Sequence, residues 1–211
     1  MSANRKVTPS TLLRKKRRGE KISLLTAYDF PMASFINQAG VDIILVSDAV
    51  GTVGNGRPEA VSVSVEEMIY HTQAVRNGAG SSMVVTTLPF GSYENDVQAV
   101  ESAVRLMKEG GADGVHFEGT SAQAERVKAI VDAGSPCLGH IGIINQKIVR
   151  SGTFRIQGRT ADSAQQILAD VVAFTNAGVF GMILECIPTR LGEIIAQSVA
   201  VPTIGIGAGP H

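Results

Sequence analysis

Five side chains that can carry acid–base or metal chemistry follow short apolar runs in this sequence. Three are carboxylates, Asp48, Glu118 and Glu185, and two are imidazoles, His116 and His140. A carboxylate beside a buried strand is costly unless a cation or hydrogen bonds compensate it. Oxygen donors without a thiolate favour Mg²⁺ over Zn²⁺. The five residues therefore indicate a magnesium site with acid–base groups beside it.

Two other interpretations of these residues stay open from the sequence. The acids can cap helices or pair with one of three arginines, Arg155, Arg159 and Arg190. Each histidine can equally be a structural core imidazole. A glycine-rich turn at 205–209 can offer backbone N–H groups to an anion, or its glycines can serve only the turn itself.

The elements that must position these side chains form a repeat of strand and helix. Nearly apolar runs predict seven strands at 22–27, 43–46, 83–87, 114–117, 137–141, 181–184 and 203–206. Apolar residues at three- and four-residue spacing predict helices at 65–77, 95–109, 122–133 and 163–177, several of them ending at glycines (Gly78, Gly110, Gly134 and Gly178). We therefore expect an α/β fold, a (β/α)8 TIM barrel of which seven units are recognisable and the eighth is absent from this chain.

In such a barrel the carboxyl ends of the strands carry the chemistry, because the βα loops converge there. The five candidate residues all stand at predicted strand ends, so we expect them to converge. The whole of 1–211 is predicted to be a single barrel domain, with a basic N-terminal helical arm at 1–20 and the βα repeats at 21–211.

Composition excludes several classes of protein. The 211 residues carry 19 basic and 19 acidic side chains and are 44% hydrophobic, and no run reaches the length of a membrane span. The two cysteines, Cys137 and Cys186, stand in apolar stretches and are expected to be small core residues of a cytoplasmic protein rather than a disulfide or zinc site. We expect neither membrane nor nucleic-acid partners, since the chain after residue 21 has 11 basic against 18 acidic residues.

The N-terminal arm is the exception in charge, with five consecutive basic residues at 14–18. This run can contact phosphates or act as a targeting signal. The alternative is a solvated helix, with Thr8 as N-cap, Pro9 as its first residue and Gly19 at its end.

Several short motifs occur in one order and spacing from about Thr8 to Gly209. They cover residues 26–29, 47–51, 70–72, 88–90, 117–119, 139–142, 149–159, 184–188 and 205–209. With these motifs the chain resembles the ketopantoate hydroxymethyltransferase family. The resemblance implies a (β/α)8 barrel of the phosphoenolpyruvate mutase and isocitrate lyase superfamily and a homo-oligomer, often a decamer.

The resemblance also implies an activity and residue roles. Such enzymes transfer a hydroxymethyl group from 5,10-methylenetetrahydrofolate to 3-methyl-2-oxobutanoate, with Mg²⁺ holding the 2-oxo acid, on the way to pantothenate. Asp48 and Glu118 fall on the metal-centre positions and Glu185 on the general base, with His140 as an accessory residue. These residues imply that a base removes the C3 proton of the 2-oxo acid to give an enolate.

Three positions depart from the family pattern. Ala49 stands where the family has Ser, Thr87 where it has an Asp that binds metal, and His116 where it has a Lys that meets the substrate. Thr87 can still offer a neutral oxygen to the metal. The binding residues for the 2-oxo acid are expected to be Asp48, Ala49, Thr87 and His116. The departures leave two alternatives open: a paralogue acting on a different 2-oxo acid by an aldol or lyase reaction, and a catalytically silent paralogue with a role in assembly.

Overall fold

Seven parallel strands form one sheet whose spatial order is the order of the sequence. The computed structural model describes residues 5–144 and 155–211. The strands are β1 (Leu24–Thr26), β2 (Ile43–Val46), β3 (Met83–Thr87), β4 (Gly114–Glu118), β5 (Cys137–Gly142), β6 (Gly181–Glu185) and β7 (Thr203–Ile206). The sheet curls into a nearly closed barrel with β1 and β7 at its two edges. The predicted barrel of seven units is confirmed.

Helices alternate with the strands along the described residues. They are α1 (Pro9–Arg17), α2 (Phe30–Gln38), α3 (Val50–Val53), α4 (Val65–Gly78), α5 (Asp96–Lys108), α6 (Ala124–Asp132), α7 (Ala161–Asn176) and α8 (Thr189–Ser198), with 3₁₀ turns at Ala60–Ser62 and Ser121–Gln123. The periodicity predicts α4 to α7 but misses α2, α3 and α8. For α2 the sequence did carry a signal, because Asp29 caps the helix by accepting from the Met32 N–H at 2.8 Å, and Pro31 lies in its first turn.

All four predicted glycines stand at or directly after a helix end, but only two of them have the backbone conformation of a glycine cap. Gly134 and Gly178 have the positive φ of a left-handed helix end. After α4 and α5 the positive φ belongs to Gly80 and Gly111 instead. Gly78 is the last residue of α4, and a Cβ there would stand 2.5 Å from the carbonyl oxygen of Phe30, so this glycine lets α2 approach α4.

The core has two layers because side chains alternate across each strand. One layer lies between strands and helices and contains Phe117 and Phe174, whose rings meet edge to face at 5.9 Å. The other fills the N-terminal half of the barrel interior and consists of Leu12, Ile43, Leu45, Met83, Val85, Leu138, Ile183 and Ile204. Seven of these eight come from strands, and the eighth, Leu12, comes from α1.

Helix α1 closes the N-terminal end of the barrel. Its predicted start is confirmed, since the Thr8 hydroxyl accepts from the Thr11 N–H and Pro9 is the first residue. The interpretation as a solvated helix holds for one side only, since Arg14, Arg17 and Arg18 are exposed. On the other side Leu12 is 0% exposed and Lys15 Nζ lies 2.6 Å from the Asp42 carboxylate. Lys16 Nζ also donates to the Ala196 carbonyl at 2.7 Å. Two of the five basic residues at 14–18, Lys15 and Lys16, thus hold α1 against the barrel.

Both cysteines are free. Cys137 is buried in β5, as expected for a core residue, whereas Cys186 is partly exposed directly after β6 and is not a core residue. Among the helices of the described ranges, none is both long enough and apolar enough to cross a lipid bilayer. The motif at 149–159 lies partly outside the described residues, which resume at Arg155.

Candidate active site

The C-terminal half of the barrel interior is polar, in contrast to the N-terminal half. Every second residue of a strand faces the barrel interior, and this alternation continues to the carboxyl ends of the strands. The interior residues there are polar: Thr87 on β3, His116 and Glu118 on β4, His140 on β5 and Glu185 on β6. The strand register sets Thr87 opposite His116 and Glu118 opposite His140. Of the five residues predicted to converge, the contacts therefore bring together four: His116, Glu118, His140 and Glu185.

Four of these side chains form a continuous row of short contacts. Thr87 Oγ1 lies 2.9 Å from His116 Nδ1, and His116 Nε2 lies 3.0 Å from His140 Nδ1. His140 Nε2 lies 3.2 Å from Glu185 Oε2, a contact whose alignment falls short of a good hydrogen bond. The row thus runs from one side of the barrel to the candidate base on the other.

The two imidazoles have opposite electrostatic environments. Burial lowers the pKa of His116 well below its ordinary value, and the neighbouring His140 lowers it further. Burial also disfavours the charged form of His140, but the contact with Glu185 and the negative charge of Glu118, 3.8 Å from Nδ1, together raise the pKa of His140. His116 is therefore the neutral member of the pair, and His140 is the imidazole coupled to the acids.

Two carboxylates beside this row have the donor chemistry of a magnesium site. Asp48 is 1% exposed and Glu118 is 3% exposed. Glu118 also lies within 4.8 Å of a nitrogen of His116 and one of His140, and His116 Nε2 and His140 Nδ1 are hydrogen-bonded to each other. Carboxylate oxygens are the donors that a hard cation such as Mg²⁺ prefers, whereas the group of ligand atoms that lie within 4.8 Å of one another in the described residues is His116, Glu118 and His140, without Asp48.

Asp48 and Ala49 stand one strand away from the row, in the loop between β2 and α3. This loop also approaches Tyr28, a residue that the prediction of site residues omitted. Burial and the charge of Asp48 raise the pKa of the Tyr28 phenol, while hydrogen bonds with Ser47 and Thr26 oppose that shift. Tyr28 follows β1, so its position at a strand end was the signal that could have identified it.

The backbone around Glu185 is unusually constrained. A Cβ at Gly142, whose φ is 110°, would stand 2.1 Å from the Glu185 carbonyl oxygen, so only glycine fits there. Cys186 is the non-glycine residue with a positive φ, 52°, in the part of the chain that the structure describes. These two features fix the point where β6 ends and Glu185 turns toward the interior.

The structure bears on two of the alternative interpretations: that the acids pair with arginines, and that the glycines at 205–209 serve only the turn. Arg190 pairs with Glu193 at 2.6 Å rather than with a candidate acid. In the turn at 205–209, Gly207 and Gly209 have positive φ. A Cβ at Gly209 would stand 2.5 Å from the Thr189 side chain, so close packing against α8 accounts for this glycine.

Solved structures with this fold come from enzymes of low sequence identity. Phosphonopyruvate hydrolase in complex with oxalate and Mg²⁺ superposes with a TM-score of 0.68 at 15% identity, covering 94% of this chain and 71% of that one. The 2,3-dimethylmalate lyase of the PEP mutase/isocitrate lyase superfamily gives 0.67 at 15% identity, covering 96% and 73%. At such identities the likeness establishes the fold.

Sequence comparison gives a closer relationship. The 3-methyl-2-oxobutanoate hydroxymethyltransferase of Moorella thermoacetica is 46% identical over 211 residues, covering all of this chain and 78% of that protein. The enzyme of the same name from Desulfotalea psychrophila is 47% identical over 195 residues, covering 92% and 70%. The model of the ketopantoate hydroxymethyltransferase family matches residues 6–211. With this match over nearly its whole length, the chain belongs to the ketopantoate hydroxymethyltransferase family.

Proposed function

We propose that this protein transfers a hydroxymethyl group from 5,10-methylenetetrahydrofolate to 3-methyl-2-oxobutanoate, giving 2-dehydropantoate for pantothenate biosynthesis. The observation that carries this proposal is the close pairing of Glu185 with His140 at the barrel mouth, beside two buried carboxylates. Relatives of 46% and 47% identity bear the name of this activity. A carboxylate at such a mouth is suited to removing a proton next to a carbonyl group.

Glu185 is the proposed general base. Its side chain is 15% exposed, so it is open to a substrate at the mouth while its Oε2 atom contacts His140. Glu185 takes the C3 proton of the 2-oxo acid, and the C3 carbon then forms a bond to the one-carbon unit. Both carbon–nitrogen bonds of the methylene bridge break; water supplies the hydroxyl oxygen, and tetrahydrofolate leaves with its two nitrogens protonated by the C3 proton and one proton of that water.

Asp48 and Glu118 are the residues proposed to hold Mg²⁺. A bound Mg²⁺ supplies Lewis-acid polarisation of the oxygens of the 2-oxo acid. Thr87 and His116, with Ala49 and Asp48, are proposed to line the substrate site. Thr87 remains a candidate neutral oxygen donor for the metal, although its hydroxyl is hydrogen-bonded to His116.

Loss of the C3 proton signal of 3-methyl-2-oxobutanoate in D2O, followed by proton NMR with and without Mg²⁺, tests this proposal. We expect Mg²⁺-dependent exchange that Glu185→Gln abolishes. The matched control is Glu193→Gln, the same change at a partly exposed carboxylate that pairs with Arg190 on α8. Exchange that survives in Glu185→Gln would contradict the role of Glu185, and an inactive wild-type protein would contradict the activity.

A different 2-oxo acid is the second candidate substrate. The observation that favours it is the buried pair Thr87–His116, which stands where the resemblance to the family implies Asp and Lys. We expect a screen of 2-oxo acids in the same exchange assay to rank 3-methyl-2-oxobutanoate first. A better rate with another acid would support the alternative, and no exchange with any of them would indicate a catalytically silent paralogue.

We further propose a cytoplasmic homo-oligomer. In α2, Phe30 is 53% and Phe35 is 66% exposed, and Leu25 on the edge strand β1 is 51% exposed. Apolar groups of this size on one side of a barrel are suited to contact with another subunit. Light scattering coupled to size exclusion measures the assembly, and a monomer at micromolar concentration would contradict it.

A further inference from the structure

A cavity of about 190 Å³ lies beside the candidate metal site, between the loops that follow β3 and β4. Glu118 lines this cavity, and Glu118 Oε1 is 3.8 Å from His140 Nδ1 in the barrel interior. Pockets that enclose a whole drug-sized ligand measure roughly 300 to 1,000 Å³, so this cavity has room for one ring system rather than for such a ligand. A ring bound here would lie against the carboxylate that is proposed to hold Mg²⁺.

An exposed aromatic side chain forms one wall of the cavity. Phe90 is 54% exposed, although hydrogen bonds fix the loop that carries it. Ser92 donates to the Pro89 carbonyl from its N–H at 3.1 Å and from its hydroxyl at 2.7 Å. Gln98 Nε2 donates to the Gly91 carbonyl at 2.8 Å. A phenyl ring held in solvent on a fixed loop has a flat face available for stacking on a second ring.

The polar side chains that line the cavity include both donors and acceptors. Gln123 Oε1 accepts from the Thr120 N–H at 2.9 Å, while its Nε2 donates to no other group in the described part of the chain. Arg126 is partly buried on α6 and has no carboxylate partner among the residues that the structure describes. Glu94 is exposed and supplies carboxylate oxygens. A ligand edge that carries an acceptor next to donors matches this set better than a purely anionic or purely apolar group does.

We propose that this cavity binds the pterin ring of the folate co-substrate, stacked on Phe90 with its carbonyl oxygen toward Gln123 and Arg126. The inference rests on the proposed function, because it locates the one-carbon donor of that reaction. The 2-amino group of a pterin and the neighbouring ring N–H are donors, and Glu94 is the acceptor for them. The one-carbon unit bridges a nitrogen of this ring and the adjacent aryl nitrogen. A ring against Glu118 therefore brings that unit beside a 2-oxo acid at the metal site.

Calorimetric titration of the protein with 5-formyltetrahydrofolate, a stable reduced folate, tests this site without turnover. We expect Phe90→Leu to raise Kd about tenfold, because leucine keeps an apolar contact but loses the flat face. Phe90→Tyr keeps the ring and should bind nearly as tightly as the wild-type protein. Gln123→Glu keeps the acceptor for the Thr120 N–H and replaces only the donor, so it should weaken binding to a similar extent.

Arg126 has a matched control on its own helix. Arg126→Met removes the guanidinium from the cavity, and we expect it to raise Kd several-fold. Lys128→Met removes a cation that does not line the cavity and that pairs with Asp132 at 2.7 Å. This second variant should bind 5-formyltetrahydrofolate with the wild-type Kd.

Two fragments of folate identify the half of the molecule that the cavity takes. In saturation-transfer NMR we expect pterin-6-carboxylate to receive magnetisation from the protein and to compete with 5-formyltetrahydrofolate. The other half, p-aminobenzoylglutamate, should not compete. Competition by p-aminobenzoylglutamate alone would mean that the cavity takes the tail of the folate, and the inference would be wrong.

The remaining outcomes separate this inference from the proposed function. A wild-type protein that binds no 5-formyltetrahydrofolate at concentrations on the order of 1 mM overturns the inference. A wild-type Kd in Phe90→Leu, or in both Gln123→Glu and Arg126→Met, does the same. Proton exchange of the 2-oxo acid needs no folate. Exchange without folate binding therefore refutes this inference alone, and folate binding without exchange refutes the proposed function alone.

Discussion

Leu12→Ala should destabilise the barrel from its N-terminal end. Leu12 is 0% exposed and packs against interior residues of several strands, among them Ile43 and Met83. Truncating a buried leucine costs about 2 to 5 kcal/mol, because the surrounding residues close the cavity only partly. With strands on the inner side of α1 and solvent beyond it, we expect about 3 kcal/mol. For a urea slope of about 2 kcal/mol per molar, the unfolding midpoint falls by about 1.5 M.

The neighbouring Leu13→Ala is the matched control for this prediction. Leu13 lies on the same helix but is only half-buried. Its truncation should cost about 1 kcal/mol, which shifts the urea midpoint by about 0.5 M. Equal shifts for the two variants would refute the reasoning, because they would mean that α1 does not seal the interior.

Three further predictions concern the site and its surroundings. Gly142→Ala should cut proton exchange about 100-fold by displacing the Glu185 backbone, whereas Gly134→Ala, whose Cβ would meet nothing within 4 Å, should leave the rate intact; exchange measured alongside circular dichroism decides this. Burial raises the pKa of Cys137 to about 12, so iodoacetamide at pH 8 should leave this thiol unmodified in the folded protein and alkylate it in urea, as peptide mass spectrometry can determine. Burial lowers the pKa of His116, so below about pH 6.5 this side chain binds a proton in the unfolded chain but not in the folded one. The free energy of unfolding should therefore fall as the pH drops from about 7.5 to about 5.5. We expect the fall to be steeper in the wild-type protein than in His116→Gln. The raised pKa of His140 acts in the opposite direction in both proteins, and equal urea-unfolding slopes would contradict the assignment.

The positions of the strands, and therefore of the side chains at their ends, were predictable because each buried parallel strand is a short apolar run in the sequence. Buried parallel strands are apolar runs, and three of the seven, β2, β3 and β7, match their predicted bounds. The other four differ by one or two residues at an end. Strands β4 and β6 each extend one residue beyond the predicted end, because the polar residues Glu118 and Glu185 still pair with the neighbouring strands.

The missed helices and the links within the site depend on tertiary contacts. Helix α8 has an apolar face, but its packing also depends on Gly192, where a Cβ would stand 2.5 Å from the Ala208 carbonyl oxygen. The pairing of Thr87 with His116 needs the register of β3 on β4, which residues 29 apart in sequence do not reveal. Thus the sequence indicated which residues meet at the mouth, but the structure was needed to identify which atoms face each other.

The closure by α1 also bears on how the chain folds during synthesis. Lys16 contacts Ala196, a residue 180 positions later, and Lys21 donates to the carbonyl oxygen of Pro210. At about 5 to 20 residues per second, the ribosome makes these partners about 10 to 40 s after the helix. Until then Lys16 and Lys21 lack these two partners, although Ile43 and Asp42, which contact Leu12 and Lys15, are already made. The contacts that tie α1 to α8 and to the segment after β7 are therefore among the last to form during synthesis.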